Sequence, residues 1–183
     1  MSKNEEFRTI YIYLYGQQNV ESIHLVKYIK NIYNSLDERN ISSHFVEIPT
    51  KINNVNLLVF VYLNELGDNR LTIESNIHLA NIFLFIYDPS KRTSFDSLND
   101  LINKVKEKKR KQKDNYIFAI AENNKNEKRE VTYEEGKKLA EKYNVAFAGE
   151  SNGNFENEFS RLFKGLIEEY YNNFIVQNNC NIL

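Results

Sequence analysis

The sequence predicts an α/β domain of three layers, with a mostly parallel six-stranded sheet held between helices. Three observations predict it. The runs Ile10–Tyr15 and Ile82–Tyr87 are β-branched and aromatic with no polar alternation, as strands covered on both faces require. Other stretches place apolar residues at i, i+3 and i+4, the stripe of an amphipathic helix. The two patterns alternate along the chain, which favours parallel strands joined by helical crossovers.

Each element follows in order. Ile10–Tyr15 is the first strand, and it leads through Gly16 into a helix from about Val20 to Leu36, where Leu25, Tyr28, Ile29, Ile32, Tyr33 and Leu36 recur at helical spacing. His44–Ile48 and Leu57–Tyr62 flank a polar stretch with Asn53-Asn54 at its tip, which reads as a hairpin and gives the sheet one antiparallel edge strand. Ile82–Tyr87 is the next strand, and the helix after it turns Phe95, Leu98, Leu101, Ile102 and Val105 inward. Tyr116–Ala121 is the fifth strand. Thr132 and Glu135 form a capping box that opens a helix to about Tyr143. Val145–Ala148 is a short sixth strand. The last helix carries Phe155, Phe159, Leu162, Phe163, Leu166, Ile167 and Tyr170 on one stripe. The domain is therefore expected over 1–171, with a polar, mobile tail at 172–183.

Composition narrows the class. A chain of 183 residues suits one domain with a sizeable core. It is 42% hydrophobic and 27% charged, an ordinary folded mixture, and its net charge of −1 gives no basis for a nucleic-acid partner. The polar opening segment carries no signal peptide, and no apolar run reaches the roughly 18 residues that span a bilayer. A single cysteine excludes an internal disulfide and suits a cytoplasmic location.

Several local strings resemble the Ras superfamily, with the Rab branch nearest. Ala80–Ser90, ending Tyr87-Asp88-Pro89-Ser90, is similar to the Rab fourth strand and its exit, and Thr93–Leu98 to the start of the helix that follows. Arg129–Gly136, then Leu139-Ala140, is similar to the lead into the next helix. The resemblance covers most of residues 7–171. It implies a P-loop NTPase-like small G domain, GTP or GDP with Mg²⁺ as the family ligand, and regulator or effector proteins as partners. These strings belong to the scaffold, so chemistry must be read from the sites.

The sites depart from the family. A phosphate loop reads G-x-x-x-x-G-K-[ST], with a lysine for the β/γ-phosphates and a hydroxyl for Mg²⁺. Here Gly16 and Val20 remain in the register, but Glu21, Ser22 and Ile23 stand where the second glycine, the lysine and the hydroxyl belong. A carboxylate repels each phosphate charge by roughly 4 kcal/mol at about 4 Å and an effective dielectric of about 20. After the third strand, Tyr62, Glu65 and Leu66 replace the family's Mg²⁺-supporting aspartate, its γ-phosphate-sensing glycine and its water-positioning glutamine. Ser42 or Ser43 is the nearest candidate for the first switch's threonine. For guanine recognition, an ungapped register aligns Glu122-Asn123-Asn124-Lys125 with Asn-Lys-x-Asp. A shifted one aligns Asn124, Lys125 and Glu127 and keeps a carboxylate for the base. The later Ser-Ala-Lys loop shrinks to Glu150-Ser151-Asn152-Gly153.

Cys180-Asn181-Ile182-Leu183 fits C-a-a-X, with a terminal leucine favouring geranylgeranyl. One lipid chain binds membranes only marginally, and no polybasic run or second cysteine precedes Cys180. The basic run from Lys104 to Lys113 could touch anionic lipid, but such a run is more often a solvated helix end that complements the helix dipole. His24, His44 and His78 lack metal-site spacing, and no metal or catalytic residue is expected. Tyr11, Tyr13 and Tyr15 read as strand packing.

Two expectations follow. One is a non-catalytic, prenylated module, cytoplasmic and peripherally bound to membrane, that acts through protein contacts in trafficking or signalling and needs no nucleotide. The alternative is a weak, unconventional GTP binder with slow hydrolysis, using Asn124, Lys125 and Glu127 for the base.

Overall fold

A computed structural model of the chain describes residues 7–16, 23–33, 36, 40–41, 45–63, 70–123, 128–150 and 154–176. Six strands form one sheet: β1 (Arg8–Gly16), β2 (Phe45–Ile52), β3 (Val55–Tyr62), β4 (Ile82–Tyr87), β5 (Ile117–Glu122) and β6 (Phe147–Ala148). Their spatial order is β2-β3-β1-β4-β5-β6, with β2 antiparallel to β3 and every other pair parallel. The expected sheet, with its single antiparallel edge strand, is what the chain forms.

The helices are α1 (Ile23–Ile32), α2 (Arg70–Leu79), α3 (Arg92–Asp96), α4 (Leu98–Gln112), α5 (Tyr133–Tyr143) and α6 (Phe155–Tyr170). They cover both faces. Ile10, Ile12 and Leu14 of β1 point to one side, into a core shared with Leu25 and Ile29 of α1 and Phe159 and Phe163 of α6. Tyr13 and Tyr15 point to the other, into a core shared with Ile77 of α2, Ile102 and Val105 of α4 and Ala140 of α5. A strand with apolar residues at every position can serve both layers, which is why Ile10–Tyr15 lacks alternation.

Local chemistry sets the joints. Asn53 and Asn54 turn the β2–β3 hairpin with φ of 47° and 65°, the left-handed pair that a two-residue type I′ turn demands. Thr132 accepts from the Glu135 amide and Glu135 reaches back to the Thr132 amide, the reciprocal cap expected for α5. The single helix expected after β4 is two, because Ser97 interrupts it and bonds through its hydroxyl to the Ser94 carbonyl at 2.9 Å.

α1 is described from Ile23, and the expected helix start at Val20 lies outside the described residues. Two further details differ from the sequence reading. α2 had no counterpart among the expected elements: its apolar and polar residues segregate only weakly around the helix, and its Ile77 joins the core. Beyond α6 the chain stays helical through a π-type turn, Tyr171–Val176, with Tyr171, Phe174 and Ile175 packed on the α1–α6 core, five residues past the expected boundary at 171.

Candidate functional site

The C-terminal edge of the parallel strands gathers the residues of interest. In an open α/β sheet this edge is where ligands bind, in the crevice where strand order reverses. β1 ends there on Gly16, which is buried and paired with Ile86 of β4, and α1 begins at Ile23. The stretch 17–22 between them lies outside the described residues, and so does Val20. Asn124, Lys125, Glu127, Ser42, Ser43, Glu65, Leu66 and Cys180 also fall outside them. Gly16 is thus the one expected nucleotide-site residue whose placement is described.

Tyr62 ends β3 and packs in an aromatic group, 6.2 Å between ring centroids from both Tyr11 and Phe45. Tyr11 and Phe45 also meet Phe60, at 5.7 and 5.8 Å. All four rings are half-buried on one face of the β1-β3-β2 edge of the sheet. The Tyr62 phenol ring is committed to these contacts.

The exit of β4 is tightly bonded. The Asp88 carboxylate is buried and accepts from the Ser90 amide at 2.9 Å and the Ser90 hydroxyl at 2.6 Å. Its other oxygen faces Lys91 at 3.5 Å. The Pro89 carbonyl accepts from the Glu130 and Val131 amides, so two strings that resemble the family are bound to each other. Arg92 extends the same seam to Glu135 at 2.6 Å.

The decisive group lies at the end of β5. Glu122 is completely buried, and a buried carboxylate is stable only when its oxygens find donors. They do. Arg129 donates to Oε1 at 3.0 Å and to Oε2 at 2.7 Å, a two-pronged pairing that matches guanidinium to carboxylate. Tyr87 donates its hydroxyl to Oε2 at 3.1 Å. The Glu150 amide, in the loop after β6, donates to Oε1. Arg129 also reaches the Val131 carbonyl at 3.1 Å and the Glu150 carbonyl at 3.4 Å. One carboxylate therefore joins β4, β5, the lead into α5 and the loop after β6.

Packing enforces the cluster. A side chain on Gly136 would strike the Tyr87 hydroxyl and come within 2.7 Å of the Phe147 ring, so only glycine lets α5 approach β4 here. At Gly149 a Cβ would sit 2.6 Å from the Phe147 ring and 3.1 Å from the Glu122 carboxyl carbon. Burial, and then the adjacent Glu122 charge, push the Tyr87 phenol far above its ordinary range. The bond to Glu122 raises the Arg129 guanidinium against the opposing pull of burial.

The profile of the Ras family matches residues 12–172. The chain belongs to the Ras family. A search of curated proteins returned no match. As a small GTPase-family protein the chain has the expected Ras-type scaffold, and the end of its β5 is held by Glu122 and Arg129.

Sequence reasoning placed Glu122 in the ungapped register and gave it no role, and it treated Arg129 as a family-like string. The available signal was an acid closing an otherwise apolar strand with an arginine seven residues on. The described residues contain no group of three or more metal-binding side chains. No helix among them is long and apolar enough to cross a membrane.

Proposed function

We propose that this Ras-family chain is a non-catalytic, Rab-like module that is prenylated at Cys180 and works at membranes of the trafficking or signalling system through protein contacts. The observation that carries the reading is the content of the loop between Gly16 and Ile23. It holds Glu21 and no lysine or arginine. A triphosphate there would meet an acid and no cation, and Ile23 offers Mg²⁺ no oxygen.

The other positions agree with this. Tyr62 and Leu66 supply neither metal support nor an oriented water, so hydrolysis lacks its parts. At the end of β5 the Glu122 carboxylate is committed to Arg129, Tyr87 and Glu150, so it is not available to a ligand there. Family members act through regulators and effectors. The half-buried band of Tyr11, Phe45, Phe60 and Tyr62 is a fitting surface for such a contact, since aromatic side chains dominate protein interfaces.

Calorimetric and thermal-shift titration with GDP and GTP, with and without Mg²⁺, tests the proposal. The expected result is no shift at millimolar nucleotide. Tight, magnesium-dependent binding overturns it and restores the alternative in which Gly16, Val20, Asn124, Lys125 and Glu127 hold GTP.

A further inference from the structure

One prenyl chain needs a second membrane signal, and the sequence near Cys180 carries none. The fold supplies a candidate from elsewhere. Parallel strands put the C-termini of the helices that cross back over the sheet at one pole, the edge where the strands begin. Asn81, just before β4, ties this pole together. Its carbonyl accepts from the Ile117 amide at the start of β5, its side-chain oxygen accepts from the Tyr11 amide, and its side-chain nitrogen donates to the Tyr170 hydroxyl on α6 at 3.0 Å. The last turn of α4 joins it through Lys109, whose buried ammonium donates to the His78 carbonyl at 2.9 Å. The C-terminal helix and the basic end of α4 therefore leave the domain on the same side.

Two independent features mark that pole. Lys106 and Arg110 on α4 and Lys113, its C-cap, are exposed at i, i+4 and i+7 and line, with Glu107, Asp114 and Tyr116, a concavity of about 490 Å³. Neighbouring acids are already committed. Glu107 pairs with Lys111 at 2.6 Å and Asp114 with Lys109 at 3.4 Å, and none of the three rim cations has a salt bridge among the described residues. Glu168 and Glu169, in the last turn of α6, belong to the same pole but to the opposite face of the sheet from α4, with Glu168 beside Tyr33 and Glu169 lining a concavity with Tyr133 and Phe147. The second feature is apolar. Among the described residues, the large hydrophobic side chains left exposed are Phe7, Leu79 and Val176. They sit just before β1, at the end of α2 and at the end of the C-terminal helix, all at this pole.

We infer that this pole is a membrane-docking surface, in which Lys106, Arg110 and Lys113 bind the phosphates of an anionic leaflet while Phe7, Leu79 and Val176 enter its interface. The inference rests on the prenylated reading and supplies its second signal by tertiary structure. Each cation held near an anionic leaflet strengthens binding about five-fold, so three give on the order of a hundred-fold.

The test uses full-length protein whose single cysteine, Cys180, carries a synthetic myristoyl-length maleimide, a chain that alone binds marginally. Partitioning is measured by cosedimentation with vesicles of phosphatidylcholine, alone or with about a third phosphatidylserine. Anionic lipid is expected to tighten wild type about a hundred-fold, and Lys106→Ala/Arg110→Ala/Lys113→Ala to lose most of that gain without changing binding to neutral vesicles. Lys128→Ala/Lys137→Ala, after β5 and near the start of α5, toward the opposite edge, is expected to stay within about two-fold of wild type. Equal partitioning of wild type on both vesicles overturns the inference and turns the patch over to an acidic protein. Equal loss in both variants overturns it too, by reducing the effect to net charge. Because the lipid is attached chemically, absence of a geranylgeranyl group on Cys180 in cells would sink prenylation and leave this measurement standing.

Discussion

Tyr87 and Glu122 lie side by side in the β4–β5 register, and the phenol of one donates to the carboxylate of the other at 3.1 Å with neither exposed to water. A charge that deep is tolerated because Arg129 and a backbone amide complete its coordination. The cluster should behave as a unit.

Removing one partner of a buried ion pair strands the other. Arg129→Met is expected to destabilise the domain by about 3–5 kcal/mol in urea titration. Adding Glu122→Gln removes the stranded charge, so the double variant should recover part of the loss. A double variant no more stable than Arg129→Met alone would show that the pairing contributes little.

Gly136→Ala places a methyl group against the Tyr87 hydroxyl and the Phe147 ring. Overpacking of this kind costs roughly 1–3 kcal/mol. Tyr87→Phe removes the struck oxygen, so the two changes together should cost less than their sum. Additive losses in thermal melts would place the strain elsewhere.

The cap of α5 should make stability depend on acid. Bonds from Arg92, and then from the Thr132 amide, hold Glu135 at about 2, below its ordinary 4.5. A lowered carboxyl stabilises the fold above its unfolded value and loses that contribution as pH falls toward 2. The melting temperature of wild type should therefore exceed that of Glu135→Gln at pH 6 and converge on it near the acid end. The Arg92–Glu135 pair is open to solvent, which screens it, so the gap is small. A gap that persists unchanged at low pH would rule out the ionised carboxylate as its source.

The hairpin tip offers a gain. Asn54 sits at φ 65°, where glycine is unstrained, and Asn54→Gly should stabilise the domain by about 0.5 kcal/mol. Asn54→Val should cost about 1–2 kcal/mol, because a β-branched side chain resists the left-handed region. Equal stability of the two variants would mean the turn relaxes out of type I′.

The scaffold was legible because its signals are local. Ile10–Tyr15 and Ile82–Tyr87 are apolar throughout, Asn53-Asn54 marks a turn, and Thr132 with Glu135 marks a helix start. Each of these depends on neighbours in sequence. α2 escaped because its polar and apolar residues segregate only weakly around the helix. Lys109 read as one lysine of a solvated run, yet it is buried, and burial lowers its ammonium against the pull of Asp114. Only the approach of α2, which brings the His78 carbonyl, makes that position habitable. Glu122 and Arg129 were both visible in the string, but their pairing depends on strand register and on Gly149, which a linear reading does not weigh.

Sheet order carries one more implication, for synthesis. β1 is central in space but first in time, and its two neighbours, β3 and β4, emerge from the ribosome roughly forty and seventy residues later. Until then Ile10–Tyr15, uncharged and free of proline, is a bare strand with both edges open. Nascent chains halted before Ile82 should be held by chaperones or aggregate, and those extended past Tyr87 should be released.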